Sequence, residues 1–151
     1  MKKETFDYSL RSAWQAVSKM YNKEAAKFDS TMATGFALLS IDAEGTPSMA
    51  LGPKMGMEST SLSRLLKSME NQKLIYRSQH PEDGRSVLIH LTAFGKEKRE
   101  YSKSVVLSFN DMIKSQLTEK QIQNFYEVID CIKEQTDKIA TIQSNIISNP
   151  I

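Results

Sequence analysis

Apolar positions at the amino-terminal end of the chain recur with the period of an α-helix. Between Phe6 and Phe28 they lie three, four or seven residues apart, while most lysines of this region lie off the stripe. The same spacing predicts a second helix over residues 31–43, which Gly45 is expected to end. Two amphipathic helices therefore begin the predicted fold.

A short helix is expected next. Thr46 is placed to cap it and Pro47 to occupy its first position, where the missing N–H costs nothing. Gly52 and Pro53 are expected to end it after Leu51, because proline cannot continue the hydrogen-bond ladder. Gly56 then falls in a turn.

The middle of the chain continues with a longer helix and a hairpin. The helix is predicted over residues 58–72, with an apolar stripe of leucines and a methionine. Residues 74–79 and 87–91 show strand patterns on either side of a turn at 80–86 that contains Pro, Asp and Gly. The hairpin is therefore expected to carry a polar tip.

Two further helices are predicted after the hairpin. Thr92 is expected to cap the first, while Thr118 and Gln121 form a capping box for the second. In the last helix apolar residues recur every three or four positions over about 25 residues, roughly 37 Å of helix. Such a stripe is easier to bury against another subunit than in one small core. The predicted fold is mainly α with a small β-hairpin (α+β).

Charge is unevenly distributed along the 151 residues. The net charge is only +2, but residues 46–99 carry +4 between a neutral amino-terminal part and a carboxy-terminal part of −2. This favours a polyanion contact in the middle of the chain. No run approaches the roughly 18 apolar residues that span a bilayer, and no secretory signal is visible. A cytoplasmic protein with no membrane partner is therefore expected.

Catalytic and metal chemistry find little support in the sequence. Acidic residues and histidines are scattered, with no nucleophile beside a base and no paired carboxylates, so we expect neither an enzyme nor a cofactor. His80 and His90 have no third ligand nearby, which argues against a metal site. Cys131, the single cysteine, is better explained as a small residue in a helix interface than as a redox sensor.

The order of short helix, turn, longer helix and hairpin indicates a winged helix-turn-helix. Its second helix can enter the major groove, so short side chains near its start allow close approach to the bases. Cations on the same helix can bind either guanine or phosphate, and the sequence leaves that choice open for Arg64. The candidate residues of this helix are Ser59, Thr60, Ser61, Ser63, Arg64 and Lys67.

The hairpin supplies the wing. Arg85 is the candidate for the minor groove or flanking phosphates, and Asp83 is expected to orient its guanidinium by a charge-assisted bond. Further DNA contacts are expected from Lys54, Arg77, His80 and Ser86.

The run from Lys54 to Glu97 resembles the winged helix-turn-helix of the MarR family of transcriptional regulators. That family shows a leucine-glycine turn, then T-V-S-R-L-L-x-x-L-E, G-L-(I/V)-x-R, a D-x-R wing and L-T-x-x-G. The corresponding stretches here are Met55–Met57, Ser61–Glu70, Leu74–Arg77, Asp83–Arg85 and Leu91–Gly95, in the same order and spacing. Lys73 replaces the family's glycine before Leu74.

The resemblance implies one domain over residues 1–151. Helices in residues 1–44 and 92–148 would form a homodimer, and residues 46–91 the winged helix-turn-helix. It also implies a repressor of a pseudo-palindromic operator, released by a small aromatic or amphipathic effector. Trp14, Tyr21, Met32 and Phe36 are candidates to line an effector site, although an aromatic stripe is also typical of a core. The alternative function is a dimeric winged-helix module that binds protein rather than DNA.

Overall fold

The computed structural model describes residues 4–148, with side chains described to residue 146. By its contacts the chain divides into two compact units, Met1–Val105 and Val106–Ile151. The elements are α1 (Phe6–Ala26), α2 (Met32–Ser40), β1 (Thr46–Pro47), α3 (Ser48–Met55), α4 (Ser59–Asn71), β2 (Ile75–Gln79), β3 (Val87–Leu91), α5 (Ala93–Lys114) and α6 (Glu119–Ser148). The mainly helical fold with a small hairpin is confirmed.

The wing belongs to a sheet of three antiparallel strands in the order β1-β3-β2. In the hairpin, Ile75 pairs with Leu91 and Gln79 with Val87. Thr46 and Pro47 pair with β3 as an edge strand, so their predicted role as cap and first residue of a helix was wrong. Pro47 is tolerated there because an edge position does not require its N–H.

Helix α3 does not end at Gly52 and Pro53 as predicted, since Pro53 lies inside it. Two backbone bonds close the helix beyond the proline: Gly56 N–H donates to Pro53 O at 3.3 Å and Met57 N–H to Gly52 O at 2.9 Å. Gly56 has φ 64°, the left-handed conformation that this closure needs. The missing proline donor therefore costs one bond near the helix end without breaking the helix.

The first two helices stop earlier than the apolar pattern indicated. Helix α1 ends at Ala26, and α2 ends at Ser40 rather than near Ala43. Gly45 does not end α2. It has φ 98° in the turn before β1, where a Cβ would lie 2.5 Å from the His90 ring. The left-handed φ therefore favours glycine at this position, and the His90 ring leaves little room for a Cβ.

The core lies in the first unit, under the helix-turn-helix. Its members come from α2, α3, α4 and the hairpin strands, together with the residues Ile41 and Leu74 that flank them. Ile41, Leu51, Met69 and Ile89 are its largest fully buried side chains, each below 2% exposed. The cluster consists of Ala37, Leu38, Ile41, Leu51, Leu62, Leu66, Met69, Leu74, Ile75, Ile89 and Leu91.

The capping predicted for the last two helices is confirmed. Thr92 Oγ1 accepts a bond from Gly95 N–H at 2.9 Å at the start of α5. At α6, Thr118 N–H donates to Gln121 Oε1 at 2.8 Å and Gln121 N–H donates back to Thr118 Oγ1 at 3.3 Å. These reciprocal bonds satisfy donors that the helix itself leaves unpaired.

The backbone carbonyl of Leu74 joins α5 to the end of the helix-turn-helix. It accepts bonds from Thr92 N–H at 3.0 Å and from Thr92 Oγ1 at 3.2 Å. The same threonine hydroxyl reaches the Lys73 carbonyl oxygen at 2.6 Å. Gly95 of α5 lies over this carbonyl so closely that a Cβ would be 2.0 Å from the Leu74 oxygen. Glycine is therefore required here for close approach rather than for its backbone freedom.

Lys73 lies just after the end of α4, and its backbone has a conformation that glycine usually adopts. Its φ is 60°. Lys73 N–H donates to Glu70 O at 2.9 Å, and Leu74 N–H donates to Met69 O at 2.9 Å. This pair of bonds is a Schellman motif with lysine at the left-handed position. Lys73 thus closes the helix with both bonds of this motif although it is not glycine.

We expect Lys73→Gly to stabilise the protein by about 0.5–1 kcal/mol. The substitution removes the left-handed strain of a residue with a Cβ, offset in part by greater freedom of the unfolded chain. Urea unfolding measures the difference. Lys67→Gly is the matched control, because it makes the same change inside α4 and should cost about 1 kcal/mol. Equal destabilisation by both would contradict the role of the Lys73 backbone.

Candidate nucleic-acid interface

The exposed face of α4 carries the residues predicted to meet DNA. Leu62, Leu66 and Met69 are buried on the opposite face. At about 100° per residue, this burial turns Thr60, Arg64 and Lys67 most directly outward. Ser59 and Ser63 lie toward one edge of the outward face and Ser61 toward the other. All six side chains are exposed: Ser59, Thr60, Ser61, Ser63, Arg64 and Lys67.

The two cations of this face are available to a ligand. Within residues 4–146, no hydrogen bond or ion pair joins the side chain of Arg64 or Lys67 to another group. Neither charge is therefore neutralised by the protein itself. Two uncompensated cations on an exposed helix face attract polyanions.

An open cleft of about 350 Å³ separates α4 from α3. Leu62 and Leu66 are among its apolar lining residues, while Ser59, Ser63 and Arg77 contribute polar groups. The hydroxyls along this edge of α4 are consequently accessible from solvent.

Arg77 and Lys54, both predicted to contact phosphate, already have partners within the chain. Arg77 Nε lies 3.1 Å from Glu70 Oε2. Lys54 Nζ donates to the Ser40 carbonyl oxygen at 2.6 Å and lies 3.3 Å from Asp42 Oδ1. Contact with DNA would compete with these bonds, so both residues are weaker candidates than Arg64 and Lys67.

Asp83 holds the backbone of the wing tip. Its carboxylate accepts bonds from Arg85 N–H at 3.0 Å and from the Ser86 hydroxyl at 2.8 Å. The Ser86 bond first, and the Arg85 backbone bond second, lower the pKa of Asp83 below its ordinary value. The predicted bond from Asp83 to the Arg85 guanidinium is absent from the described residues. The short spacing favours an Asx-type turn, in which the carboxylate reaches the nearby N–H instead.

Two further side chains brace the tip. His80 Nδ1 accepts a bond from Glu82 N–H at 3.2 Å, and Gln79 Nε2 donates to the Gly84 carbonyl oxygen at 2.8 Å. Gln79 was not singled out from the sequence, because nothing in a strand pattern marks a residue that bonds across a turn. The Arg85 guanidinium is exposed and makes no bond to residues 4–146. The tip is thus ordered while its cation remains accessible.

Three of the four candidate effector residues pack on one another. Phe36 lies between Trp14, at a ring-centroid distance of 6.3 Å, and Tyr21, at 5.9 Å. Partial burial raises the pKa of Tyr21. The fourth residue, Met32, donates its backbone N–H to Asn22 Oδ1 at 3.0 Å. These contacts describe an aromatic seam between α1 and α2.

A separate cavity of about 80 Å³ lies between the end of α1, α2, the end of α4 and α5. Phe28, Phe94 and Tyr101 supply its aromatic walls, and Lys98 lines it as well. The Lys98 ammonium lies 5.0 Å from the centre of the Phe28 ring and 5.2 Å from that of Phe94. None of the four candidate effector residues lines this cavity.

Within the part of the chain that the structure describes, none of the helices combines the length and the apolar run that a bilayer span requires. No group of three or more His, Cys, Asp or Glu residues within that part is placed to hold a metal ion.

Comparison with known proteins identifies the family. The sequence model of the MarR family matches residues 31–87, which contain α2, the helix-turn-helix and the first wing strand. The HTH-type transcriptional regulator SarZ of Staphylococcus saprophyticus is 30% identical over 115 residues, covering 72% of this chain and 79% of SarZ. The chain belongs to the MarR family. The resemblance seen in the sequence is therefore confirmed.

Two further relatives of this MarR-family chain come from Bacillus subtilis. The HTH-type transcriptional regulator YdgJ is 29% identical and the organic hydroperoxide resistance transcriptional regulator 33% identical, each over 94 residues. These alignments cover 62% of this chain in both cases, but only 56% of YdgJ and 64% of the hydroperoxide regulator.

The MarR fold is also evident from solved structures. The Staphylococcus aureus MepR–DNA complex contains a chain that superposes with a TM-score of 0.80 at 22% identity. The match covers 88% of this chain and 99% of the MepR chain. It establishes that nearly the whole chain follows a known winged-helix architecture.

Proposed function

We propose that this chain is a transcriptional regulator that binds duplex DNA as a homodimer. The observation that carries the proposal is the set of uncompensated cations on the winged helix-turn-helix. Arg64 and Lys67 stand on the outward face of α4, and Arg85 stands at the tip of a wing braced by bonds from Asp83 and Gln79. Ordering the tip in advance lowers the entropy lost on binding.

Two contact types follow from this geometry. Helix α4 places Thr60 and Arg64 where a helix in the major groove meets base edges. The wing places Arg85 toward the flanking backbone or minor groove, where narrow A·T-rich segments attract arginine. Ser59, Ser61 and Ser63 are short enough to let the backbone approach. His80 and Ser86, which bond within the wing, act chiefly by shaping it.

Dimerisation is supported by apolar side chains left exposed within each unit. In the first unit Phe6 of α1 is 67% exposed, and Trp14 is also exposed. In the second unit Phe125 and Ile146 of α6 are 58% and 66% exposed. Stripes of this kind are costly to leave in water and are typical of helices that pair with a second subunit. The proposed single domain of residues 1–151 thus uses its terminal helices for pairing.

Effector response is supported by the aromatic cavity rather than by the seam of Trp14, Tyr21 and Phe36. At about 80 Å³ the cavity is well below the roughly 300 Å³ of sites for drug-sized ligands. An effector would therefore bind a widened state and shift the population toward it. Because such a state need not suit DNA, effector binding would release the DNA. The MarR-family resemblance adds the proposal that the regulator is a repressor. We assign it no enzymatic activity and place it in the cytoplasm with the DNA.

The test is a salt titration of DNA binding. Duplexes selected from a random-sequence library by the purified protein would be measured between 50 and 200 mM salt. Log affinity should fall linearly with log salt, at about 0.9 per phosphate contact. Contacts by three cations in each of two subunits predict a slope near −5. The absence of retained duplex at low salt would reject DNA binding and favour the protein-interaction module.

A further inference from the structure

The ammonium of Lys54 caps a helix other than its own. Lys54 lies in the last turn of α3, and its Nζ donates to the carbonyl oxygen of Ser40 at 2.6 Å. Ser40 is the last residue of α2, so this carbonyl has no partner within its own helix. A lysine that reaches a helix C-terminus stabilises it through the hydrogen bond and the helix dipole.

Asp42 is the second partner of Lys54 at this contact between α2 and α3. Its carboxylate lies 3.3 and 3.4 Å from Lys54 Nζ. The bond from Lys54 is the largest cause, ahead of the bond from Thr46, that lowers the pKa of Asp42. Asp42 N–H donates to Thr46 Oγ1 at 2.8 Å, and Thr46 is buried in β1. Arg99 of α5 adds a weaker electrostatic attraction to Asp42. Residues of α2, α3 and β1 are therefore bonded to one another at this pair.

The contact made by Lys54 fixes the last turn of a short helix. Helix α3 is eight residues long and contains Pro53, and its buried residues are Leu51 and Gly52. The turn after α3 leads within three residues to the start of α4 at Ser59. A change in the orientation of α3 relative to α2 consequently changes how α4 is presented.

We propose that Lys54 and Asp42 are positioning residues that set the angle between α2 and the helix-turn-helix. Lys54 acts through Asp42 and Ser40, and it does not contact phosphate. The proposal rests on the DNA-binding function above. It assigns a role to Asp42, an acidic residue that simple electrostatics would count only as repelling DNA.

The sign of the effect of Asp42→Asn tests the proposal. Removing a negative charge should strengthen DNA binding if electrostatics alone acts. The positioning role predicts the opposite, a loss of about fivefold, within the range found when residues that couple two sites are changed. Lys54→Met should lower DNA affinity by a similar factor. The double variant should lose little more affinity than either single variant. Lys54→Arg, which keeps the charge and its donors, should restore most of the affinity.

The salt dependence separates positioning from direct contact. Lys54→Met should leave the slope of log affinity against log salt unchanged, while Lys67→Met, the matched lysine on the α4 face, should reduce it by about 1 per subunit. Affinities are measured well below the unfolding temperature of each variant, so that a purely structural role would leave them unaltered.

Three outcomes overturn the proposal. They are a gain in affinity with Asp42→Asn, a shallower slope with Lys54→Met, and affinities of both variants that stay equal to that of the unsubstituted protein. If the unsubstituted protein binds no duplex, the proposed function fails first and this role falls with it. If that protein binds and any of the three outcomes appears, only the positioning role fails.

Discussion

Gly95→Ala is expected to destabilise the protein by about 3 kcal/mol, a large part of the roughly 5–15 kcal/mol by which folded proteins are stable. A Cβ at this position would lie 2.0 Å from the Leu74 carbonyl oxygen and 3.0 Å from its carbon. These are backbone atoms, and that oxygen already accepts two bonds from Thr92. To relieve this clash, α5 would have to move away from the hairpin, which would break those bonds. Urea unfolding followed by circular dichroism measures the loss.

Gly35→Ala is the matched control. Gly35 also lies in a helix, α2, but a Cβ there would meet Ser102 Oγ at 3.5 Å, an ordinary contact. Alanine should therefore stabilise α2 by up to about 1 kcal/mol through its higher helix propensity. The same substitution thus has opposite signs at the two glycines. Equal effects would show that the close approach at Gly95 is not limiting.

Arg85→Ala is expected to lower DNA affinity by about tenfold or more while leaving the free energy of unfolding unchanged. The guanidinium makes no bond to residues 4–146, so the fold loses nothing with it. The proposed dimer would lose two contacts, which should reduce the salt slope by about 2. Gel shifts over a salt series and urea unfolding measure both quantities.

Arg11→Ala serves as the charge control for the wing, since Arg11 is another exposed arginine, on α1. Its removal should change affinity far less than the removal of Arg85. A similar loss for both would mean that net charge, and not the wing, determines binding. A large fall in stability with Arg85→Ala would equally contradict the assignment.

The sequence predicts elements best where a period extends over many residues. Helices α1, α4, α5 and α6 and the hairpin were expected because their stripes are long or regular. β1 was missed because two residues carry no period, and Thr46-Pro47 also has the composition of a helix start. The path of α3 through Pro53 depends on closing bonds made by Gly56 and Met57, which only the folded backbone reveals.

The candidate interface was only partly predictable for a related reason. Burial of Leu62 and Leu66 fixes which face of α4 is exposed, so Arg64 and Lys67 could be identified from spacing alone. The partners of Lys54, by contrast, lie 12 and 14 residues earlier in the chain. Such contacts depend on how helices cross. A lysine in a basic segment therefore looks the same in the sequence whether it meets phosphate or caps another helix.

The Leu74 carbonyl has a mechanical consequence for regulation. Thr92 and Gly95 attach the first turn of α5 to the residue where α4 and β2 meet, with no space for sliding. We therefore expect a displacement of α4 or of the wing to carry the first turn of α5 with it. In the proposed dimer, an effector that changed the spacing of the two α4 helices would therefore have to bend the chain elsewhere. The hinge is then to be sought along α5 beyond its first turns or on the α2 side, and not at the wing.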